Sequence, residues 1–274
     1  TMMKIQRPPF YGGQVWPVLS NSQGGPVHDA KQRIIDVNGE AMVVKSYKRV
    51  KQAGIGSIIV DCIDDSVAEE LGEAGAYTVK TNPEDLPKNH NYKTESGAER
   101  IQATVNRFDR FYTHDLIINV HEDMPTLEPK YIRALMYALV DREVGMATMV
   151  CPLEGDELND RSIVKTSVDW NEGRMVYVMK SSKVGTIVDF SRDLEILGDR
   201  PLYRHVPIYA YKRAALDRFV NMPPTDRELE ENIESLRVLD AGIRMDVCLV
   251  DSAPFKVQSE ADLDQVREDL DTTL

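Results

Sequence analysis

The residues with the clearest chemical potential sit where an apolar run ends. In Asp115-Leu-Ile-Ile-Asn-Val-His-Glu-Asp-Met-Pro125, Leu116 to Val120 is interrupted only by Asn119 and reads as a strand buried on both faces. The run ends in His121, Glu122 and Asp123, and Pro125 stops the strand. In open parallel α/β sheets ligands bind at the carboxyl ends of the strands. A carboxylate placed there can hold the Mg²⁺ that a triphosphate brings with it. Asp123 is therefore the leading candidate both as metal ligand and as catalytic group. The competing reading is a solvated acidic turn, which needs no ligand.

Other stretches could serve the same chemistry. Ser20-Asn-Ser-Gln-Gly-Gly-Pro-Val-His-Asp-Ala-Lys31 is a Gly- and Ser-containing loop of the kind whose backbone N–H groups wrap phosphates, with Ser20, Gly24 and Gly25 as candidate contacts. It matches neither the P-loop nor the dinucleotide fingerprint, and a plain flexible connection reads equally well. Ser96-Gly-Ala-Glu-Arg100 opens a helix carrying Ile101, Val105 and Phe108. Ser96 at its cap would turn free N–H groups toward a base or phosphate, and as a simple capping box it would need no ligand. His205 precedes an apolar strand and could be a core histidine, while Tyr209 and Tyr211 alternate as strand residues do. Among Glu228, Glu230, Glu231 and Glu234, the first three read as a solvated helix face and Glu234 as the inward exception.

The elements that must position these groups follow a βα rhythm. Val15–Leu19, Arg33–Val37, Ser57–Cys62, Ala76–Lys80 and Met146–Cys151 read as strands. Helices are expected from Met42 to Gly54, from Val67 to Ala74, and over Tyr131–Arg142, with Asn38-Gly39 as a tight turn. From Ile163 onward the rhythm changes to strands at Ile163–Val168, Met175–Met179 and Tyr203–Tyr211, separated by Gly173 and the polar stretch Ser181–Arg200. Helices at Arg213–Asn221 and Arg227–Ala241, a strand at Met245–Val250 and a helix at Ser259–Leu270 complete the chain. The expected class is α/β: a Rossmann-like, mostly parallel sheet in a single domain over residues 1–274. A strand-rich antiparallel insertion at about 160–212 would pair two subunits.

The totals narrow the partners. A chain of 274 residues, 42% hydrophobic, can bury one large α/β core. A formal charge of −12 argues against nucleic acid or an anionic membrane as the main partner, so an anionic substrate needs a local basic pocket. Cys62, Cys151 and Cys248 lie far apart without CxxC spacing, which suggests neither a zinc site nor a disulfide framework. No apolar run approaches the ~18 residues of a membrane span, and the first residues lack a secretory pattern. A cytoplasmic setting is expected.

Several stretches in one order resemble the sugar-activating cytidylyltransferases, above all the CMP-Kdo synthetases (3-deoxy-manno-octulosonate cytidylyltransferases). Asn38-Gly-Glu-Ala-Met42 resembles the family's Asn-Gly-Lys-Pro-Met, and Ser96-Gly-Ala-Glu-Arg100 its Ser-Gly-Thr-Glu-Arg. Asn119-Val-His-Glu-Asp-Met-Pro125 is similar to Asn-Val-Gln-Gly-Asp-Glu-Pro. Val144-Gly-Met-Ala-Thr148, Arg204-His-Val-Pro-Ile-Tyr-Ala-Tyr211 and Glu234-Ser-Leu-Arg-Val-Leu239 match further stretches. The resemblance implies a Rossmann-like nucleotidyltransferase domain, a homodimer, CTP as co-substrate with Mg²⁺, and a place in lipopolysaccharide biosynthesis. It implies attack of the sugar's anomeric hydroxyl on the α-phosphate of CTP, with release of pyrophosphate. Carried over by position, Ser96, Gly97 and Arg100 would lie at the cytidine, and His121, Arg204, His205, Tyr209, Glu234 and Ser235 at the sugar acid.

The departures are as specific as the matches. Where the family's first loop supplies two arginines and a lysine to the triphosphate, the segment from Pro17 to Lys31 has neither arginine, and Lys31 or Arg33 stands nearest to replace them. Gln258 occupies the place of a second Mg²⁺-binding Asp, and an amide is a weaker ligand for a hard cation. His121 and Ser235 each replace a Gln, and Pro207 a Gly. Three functions fit these residues: a Kdo-type cytidylyltransferase, a catalytically weakened paralogue that binds nucleotide or a partner enzyme, and a cytidylyltransferase for another acid such as a phosphonate.

Overall fold

The computed structural model describes residues 14–20, 36–62, 64–81, 97–175, 183–257 and 260–271. The elements in order are β1 (Gln14–Ser20), β2 (Asp36–Val37), β3 (Glu40–Ala41), α1 (Met42–Gln52), β4 (Ile59–Asp61), α2 (Asp65–Glu73) and β5 (Tyr77–Val79). Next come α3 (Gly97–Phe108), β6 (His114–His121), α4 (Pro129–Ala138), β7 (Met146–Cys151), a 3₁₀ turn at Gly155–Leu158, β8 (Lys165–Met175) and β9 (Lys183–Ser191). The chain continues through α5 (Leu194–Leu197), β10 (Leu202–Lys212), α6 (Arg213–Val220), α7 (Asp226–Glu231), α8 (Leu236–Asp240), β11 (Met245–Leu249) and α9 (Glu260–Asp271).

Among the described residues nine strands form one mixed sheet in the order β5-β4-β1-β6-β10-β7-β11-β9-β8. β1 runs parallel to β4 and β6, β4 to β5, and β7 to β11. β10 enters antiparallel between β6 and β7 and also pairs with β8, so β10, β7, β11, β9 and β8 close on themselves. The chain runs outward from β1 through β4 to β5 and then returns to β6 on the other side of β1. That reversal opens a crevice at the carboxyl ends of β1 and β6, where ligands bind in such sheets.

The apolar run in β6 is buried on both faces because each face has its own helical cover. Leu116, Ile118 and Val120 join a cluster with Tyr47 of α1, Leu71 of α2 and Leu135 of α4, whereas Ile117 joins Ile101 of α3 and Phe219 of α6. Asn119 and His121 follow Ile117 on the α3 side by the strand's two-residue period. That face turns from apolar to polar toward its carboxyl end. The Asn38-Gly39 turn takes φ of 50° and 82°, the positive pair that joins β2 to β3.

Three expectations need correction. The polar stretch Ser181–Arg200 contains β9, whose Val184, Ile187 and Phe190 are buried, and Gly173 lies inside β8. Its polar positions lie between these apolar ones and find partners, Thr186 on Asp246 of β11 at 2.9 Å and Asp189 on Arg227 of α7 at 2.6 Å. The helix expected over Arg227–Ala241 breaks at Asn232, which adopts a left-handed φ of 52° and ends α7. The helix expected to reach Arg142 stops at Ala138.

Gly185 of β9 is held by a close approach. A Cβ there would lie 2.6 Å from Val168 Cγ1 and 2.8 Å from the Asp169 carbonyl oxygen, and backbone cannot rotate aside. Gly185→Ala is expected to lower stability by about 1–3 kcal/mol through overpacking. Denaturant unfolding checks this, and an unchanged midpoint would show that the β8–β9 ribbon has slack.

Candidate active site

The strand register brings the polar ends of three strands level. Ser20 of β1 lies opposite Asp61 of β4 on one side and His121 of β6 on the other. Asp61 is fully buried, so its charge needs partners. It accepts a hydrogen bond from Arg100 at 2.7 Å and another from the Thr81 backbone N–H at 3.1 Å. Arg100 thereby ties the first turn of α3 to the carboxyl edge of the sheet.

The α3 N-terminus meets the turn created by the break at Asn232. Glu234 accepts from the Ala98 backbone N–H at 3.3 Å, placing a carboxylate at the positive end of α3. Gly97 lies beside it: a Cβ there would stand in ordinary contact, 3.9 Å from Glu234 Oε2. The next residue, Ser235, sits with its Oγ 2.6 Å from the Tyr209 hydroxyl. Tyr209 pairs across the sheet with Asn119, which joins this group to β6. Burial, with Glu234 nearby, raises the Tyr209 hydroxyl above its ordinary range, so it remains protonated.

His205 packs against Phe190 at 4.9 Å and Tyr209 at 5.6 Å between ring centroids. Its Nε2 lies 3.0 Å from the Thr148 hydroxyl, which also reaches the Val206 and Ile208 carbonyls at 3.2 and 3.0 Å. Those carbonyls flank Pro207, where β10 bulges out of register with β7. Proline has no ladder N–H to give, so the irregularity falls there. Thr148 has one hydrogen and two carbonyls competing for it, an arrangement that favours His205 donating from Nε2. Burial, aided by Arg192, pulls the His205 pKa down from 6.5 to about 3, so the ring is neutral.

At the end of β6, His121 is likewise held down to about 4 by burial, against the pull of Asp123 and with the help of Lys256. His121 Nδ1 is buried and finds no hydrogen-bond partner among the described residues. Asp123 is buried, with Oδ2 3.6 Å from the Lys256 ammonium. Val257 N–H donates to the Asp123 carbonyl at 3.0 Å, and Ser46 Oγ to the Glu122 carbonyl at 2.6 Å, which fixes the turn that carries these side chains.

The expected residues thus fall into connected groups: Gly97 with Glu234, Ser235 with Tyr209 and His205, and His121 with Asp123. Two expected ligand contacts are engaged elsewhere. Arg100 pairs with Asp61, and Arg204 with Glu157 of the 3₁₀ turn. Glu228, expected to be solvated, accepts a two-pronged bond from buried Arg237 at 2.7 and 2.5 Å, and Glu231 holds Ser191 and the Arg192 N–H. Ser20 ends β1, while Gly24, Gly25, Lys31, Ser96 and Gln258 lie outside the described residues. Sequence reasoning missed Asp61, Thr148 and Lys256. The first two carried a signal, a polar residue within a buried apolar strand; Lys256 carried none.

A reversing parallel sheet with polar strand ends, a helix N-terminus above them and a carboxylate at the switch point define an α/β nucleotidyltransferase-type domain. A family model described as cytidylyltransferase matches residues 31–246. The chain belongs to the cytidylyltransferase family. Proteins named 3-deoxy-manno-octulosonate cytidylyltransferase from Parvibaculum lavamentivorans and Methylobacterium radiotolerans are each 34% identical to it over 85% of this chain, and over 84% and 88% of their own lengths. A solved CMP:2-keto-3-deoxy-manno-octonic acid synthetase complexed with CTP has the same fold, with a TM-score of 0.76 at 23% identity, covering 96% of this chain and 100% of that one. A 4-diphosphocytidyl-2C-methyl-D-erythritol synthase from Anaerococcus prevotii shares the fold more distantly, with a TM-score of 0.57 at 11% identity, covering 95% of this chain and 100% of that one.

The buried neutral His205 makes stability depend on pH. Unfolded, it takes a proton below about 6.5; folded, it refuses one until about 3, so stability is lost as the pH falls through that window. His205→Gln removes this share. The stability gap between wild type and variant is expected to narrow by about 1–2 kcal/mol from pH 7.5 to pH 5, measured by denaturant titration. A gap constant with pH would mean that His205 takes up its proton alike in the folded and unfolded protein.

Proposed function

We propose that this enzyme transfers CMP from CTP to an acidic sugar of the Kdo type, giving the CMP-sugar and pyrophosphate. The observation that carries the reading is Asp123, a buried carboxylate at the sheet's switch point, in a chain whose relatives, 34% identical over 85% of its length, are named for this reaction. In the proposed step a hydroxyl oxygen of the sugar attacks the α-phosphorus and gives up its proton to solvent, forming a new P–O bond as the bond to the pyrophosphate leaving group breaks. Such transfers ask the protein for positioning and charge neutralisation more than for covalent chemistry.

The donor set suits Mg²⁺ in a particular way. Among the described residues there is no cluster of three or more His, Cys, Asp or Glu side chains able to cage a metal. Mg²⁺ rarely needs one, since it keeps waters and takes phosphate oxygens with one or two carboxylates. Asp123 would be its protein ligand, with Gln258 as a second candidate, and the ion would neutralise charge on the phosphates. The orphaned His121 Nδ1 beside Asp123 fits a site that a ligand's polar group completes.

The chain's own groups divide the remaining work. The α3 N-terminus and Glu234 lie where polar groups of the nucleotide or sugar can exchange hydrogen bonds with them. Neutral His205 and protonated Tyr209, each held in one orientation by Thr148 and Ser235, supply directed hydrogen bonds to sugar hydroxyls rather than charge to its carboxylate. The reading includes a cytoplasmic homodimer joined through residues of about 160–212, where Val188 and Ile196 expose apolar surface. Light scattering that shows a monomer at micromolar concentration would refute that association.

The decisive assay is pyrophosphate release from CTP and Mg²⁺ with Kdo and a panel of other sugar acids and phosphonates. Release with Kdo is expected, and Asp123→Asn should abolish it while leaving the thermal midpoint close to wild type. Release with a different acid alone would move the acceptor. Silence with every acid, in a protein that still binds CTP, would overturn the reading in favour of a non-catalytic nucleotide binder.

A further inference from the structure

The cations around the sheet's carboxyl edge are mostly committed to carboxylates. Arg100 is paired with Asp61, Arg204 with Glu157 and Arg237 with Glu228. Two of these carboxylates, Asp61 and Glu228, are buried, so withdrawing the arginine would strand a charge. Lys256 differs in its partner. Its ammonium lies 3.6 Å from Oδ2 of Asp123, the carboxylate proposed above to hold a cation that accompanies a triphosphate.

The position of Lys256 is built rather than incidental. Phe255 N–H donates to Thr126 Oγ1 at 2.9 Å, and Val257 N–H to the Asp123 carbonyl at 3.0 Å, so both neighbours of Lys256 are bonded to the turn that follows β6. Val257 is buried in a cluster with Val37, Met42, Leu263 and Val266, which anchors the segment to α9 and the β2–β3 hairpin. The Lys256 side chain itself is about one-third exposed, so its ammonium can turn without unpacking anything. The backbone is fixed and the charge is free to move.

We infer that Lys256 is a triphosphate-binding residue that exchanges partners: its ammonium holds Asp123 while the site is empty and passes to a phosphate oxygen when a divalent cation takes Asp123. This rests on the reading of the site as one for a nucleoside triphosphate. The exchange keeps the pocket balanced at both stages, since Asp123 always faces a cation and the incoming phosphates meet both the metal ion and the ammonium. Lysine suits the task, because its point charge sits on a flexible stem and needs no fixed bidentate geometry.

The test uses the full chain and two calorimetric titrations, one with Mn²⁺ alone and one with CTP in the presence of Mg²⁺. Without nucleotide the ammonium competes with a divalent cation for Asp123, so Lys256→Met should bind Mn²⁺ about tenfold more tightly. With nucleotide the ammonium contributes a charge-assisted contact, so the same variant should bind CTP about tenfold more weakly. Lys256→Arg should retain CTP affinity near that of wild type, and Lys256→Gln should repeat the Met result if the Met variant folds poorly. Opposite signs in the two titrations are the signature, because a purely structural lysine would move neither or weaken both. Unchanged CTP affinity in variants with wild-type thermal midpoints would overturn the inference. Neither titration needs an acceptor acid, so a failure of the proposed reaction in the pyrophosphate assay is distinguishable from a failure here.

Discussion

The ion pair between Arg100 and Asp61 is the contact on which the geometry of the site depends. Asp61 ends a three-residue strand with no exposed surface, and an unpaired charge there would be costly. Arg100, one turn into α3, supplies the countercharge and so fixes where that helix begins relative to the sheet. Once the start of α3 is fixed, its free N–H groups face the turn at Glu234. Ser235 then meets Tyr209, and Tyr209 stands opposite Asn119 of β6. One buried charge pair thus sets the spacing among a helix terminus, a turn and two strands.

The same economy appears in β10. A strand pairing with β6 on one side and β7 on the other would ordinarily be regular, yet Pro207 removes a donor and the register with β7 slips between Val206 and Ala210. The carbonyls freed by that slip converge on Thr148, which also orients His205. An irregularity in a central strand therefore becomes the support for the candidate residue His205. His205 remains neutral because its packing against Phe190 and Tyr209 removes the water that would stabilise a charge.

Much of this was legible in the sequence where one physical rule dominates. The β6 run and the carboxylate that follows it, the Asn38-Gly39 turn, and β7 at Met146–Cys151 follow from apolar continuity and turn chemistry, and the structure places them as expected. β9 was hidden because polar groups such as Thr186 and Asp189 sit among its buried residues and find partners on β11 and α7, so its sequence does not look apolar. The break at Asn232 was hidden because a charged, helix-favouring run masked a left-handed cap, and with it the burial of Glu228 against Arg237. Pairings such as Arg204 with Glu157 join residues 47 positions apart, and no local pattern reports them. The position of Lys256 arises from hydrogen bonds made by its neighbours' backbone, to which side-chain identity gives no clue.

The charge balance follows from the same arrangement. A chain of net charge −12 that is to bind a triphosphate cannot rely on a general positive field, because the long-range potential opposes the approach of the anion. Recognition must then come from short-range groups that act only on contact: backbone N–H groups at a helix start, and cations whose charge is cancelled until the ligand arrives. At this edge Arg100, Arg204 and Arg237 are cancelled by carboxylates that stay with them, and fold stability gains from their staying. The Lys256–Asp123 pair is cancelled by a group that a divalent cation can take over. The arrival of a metal-bound anion would thus create the positive charge that the anion needs, at the place where it is needed, in a protein that otherwise repels it.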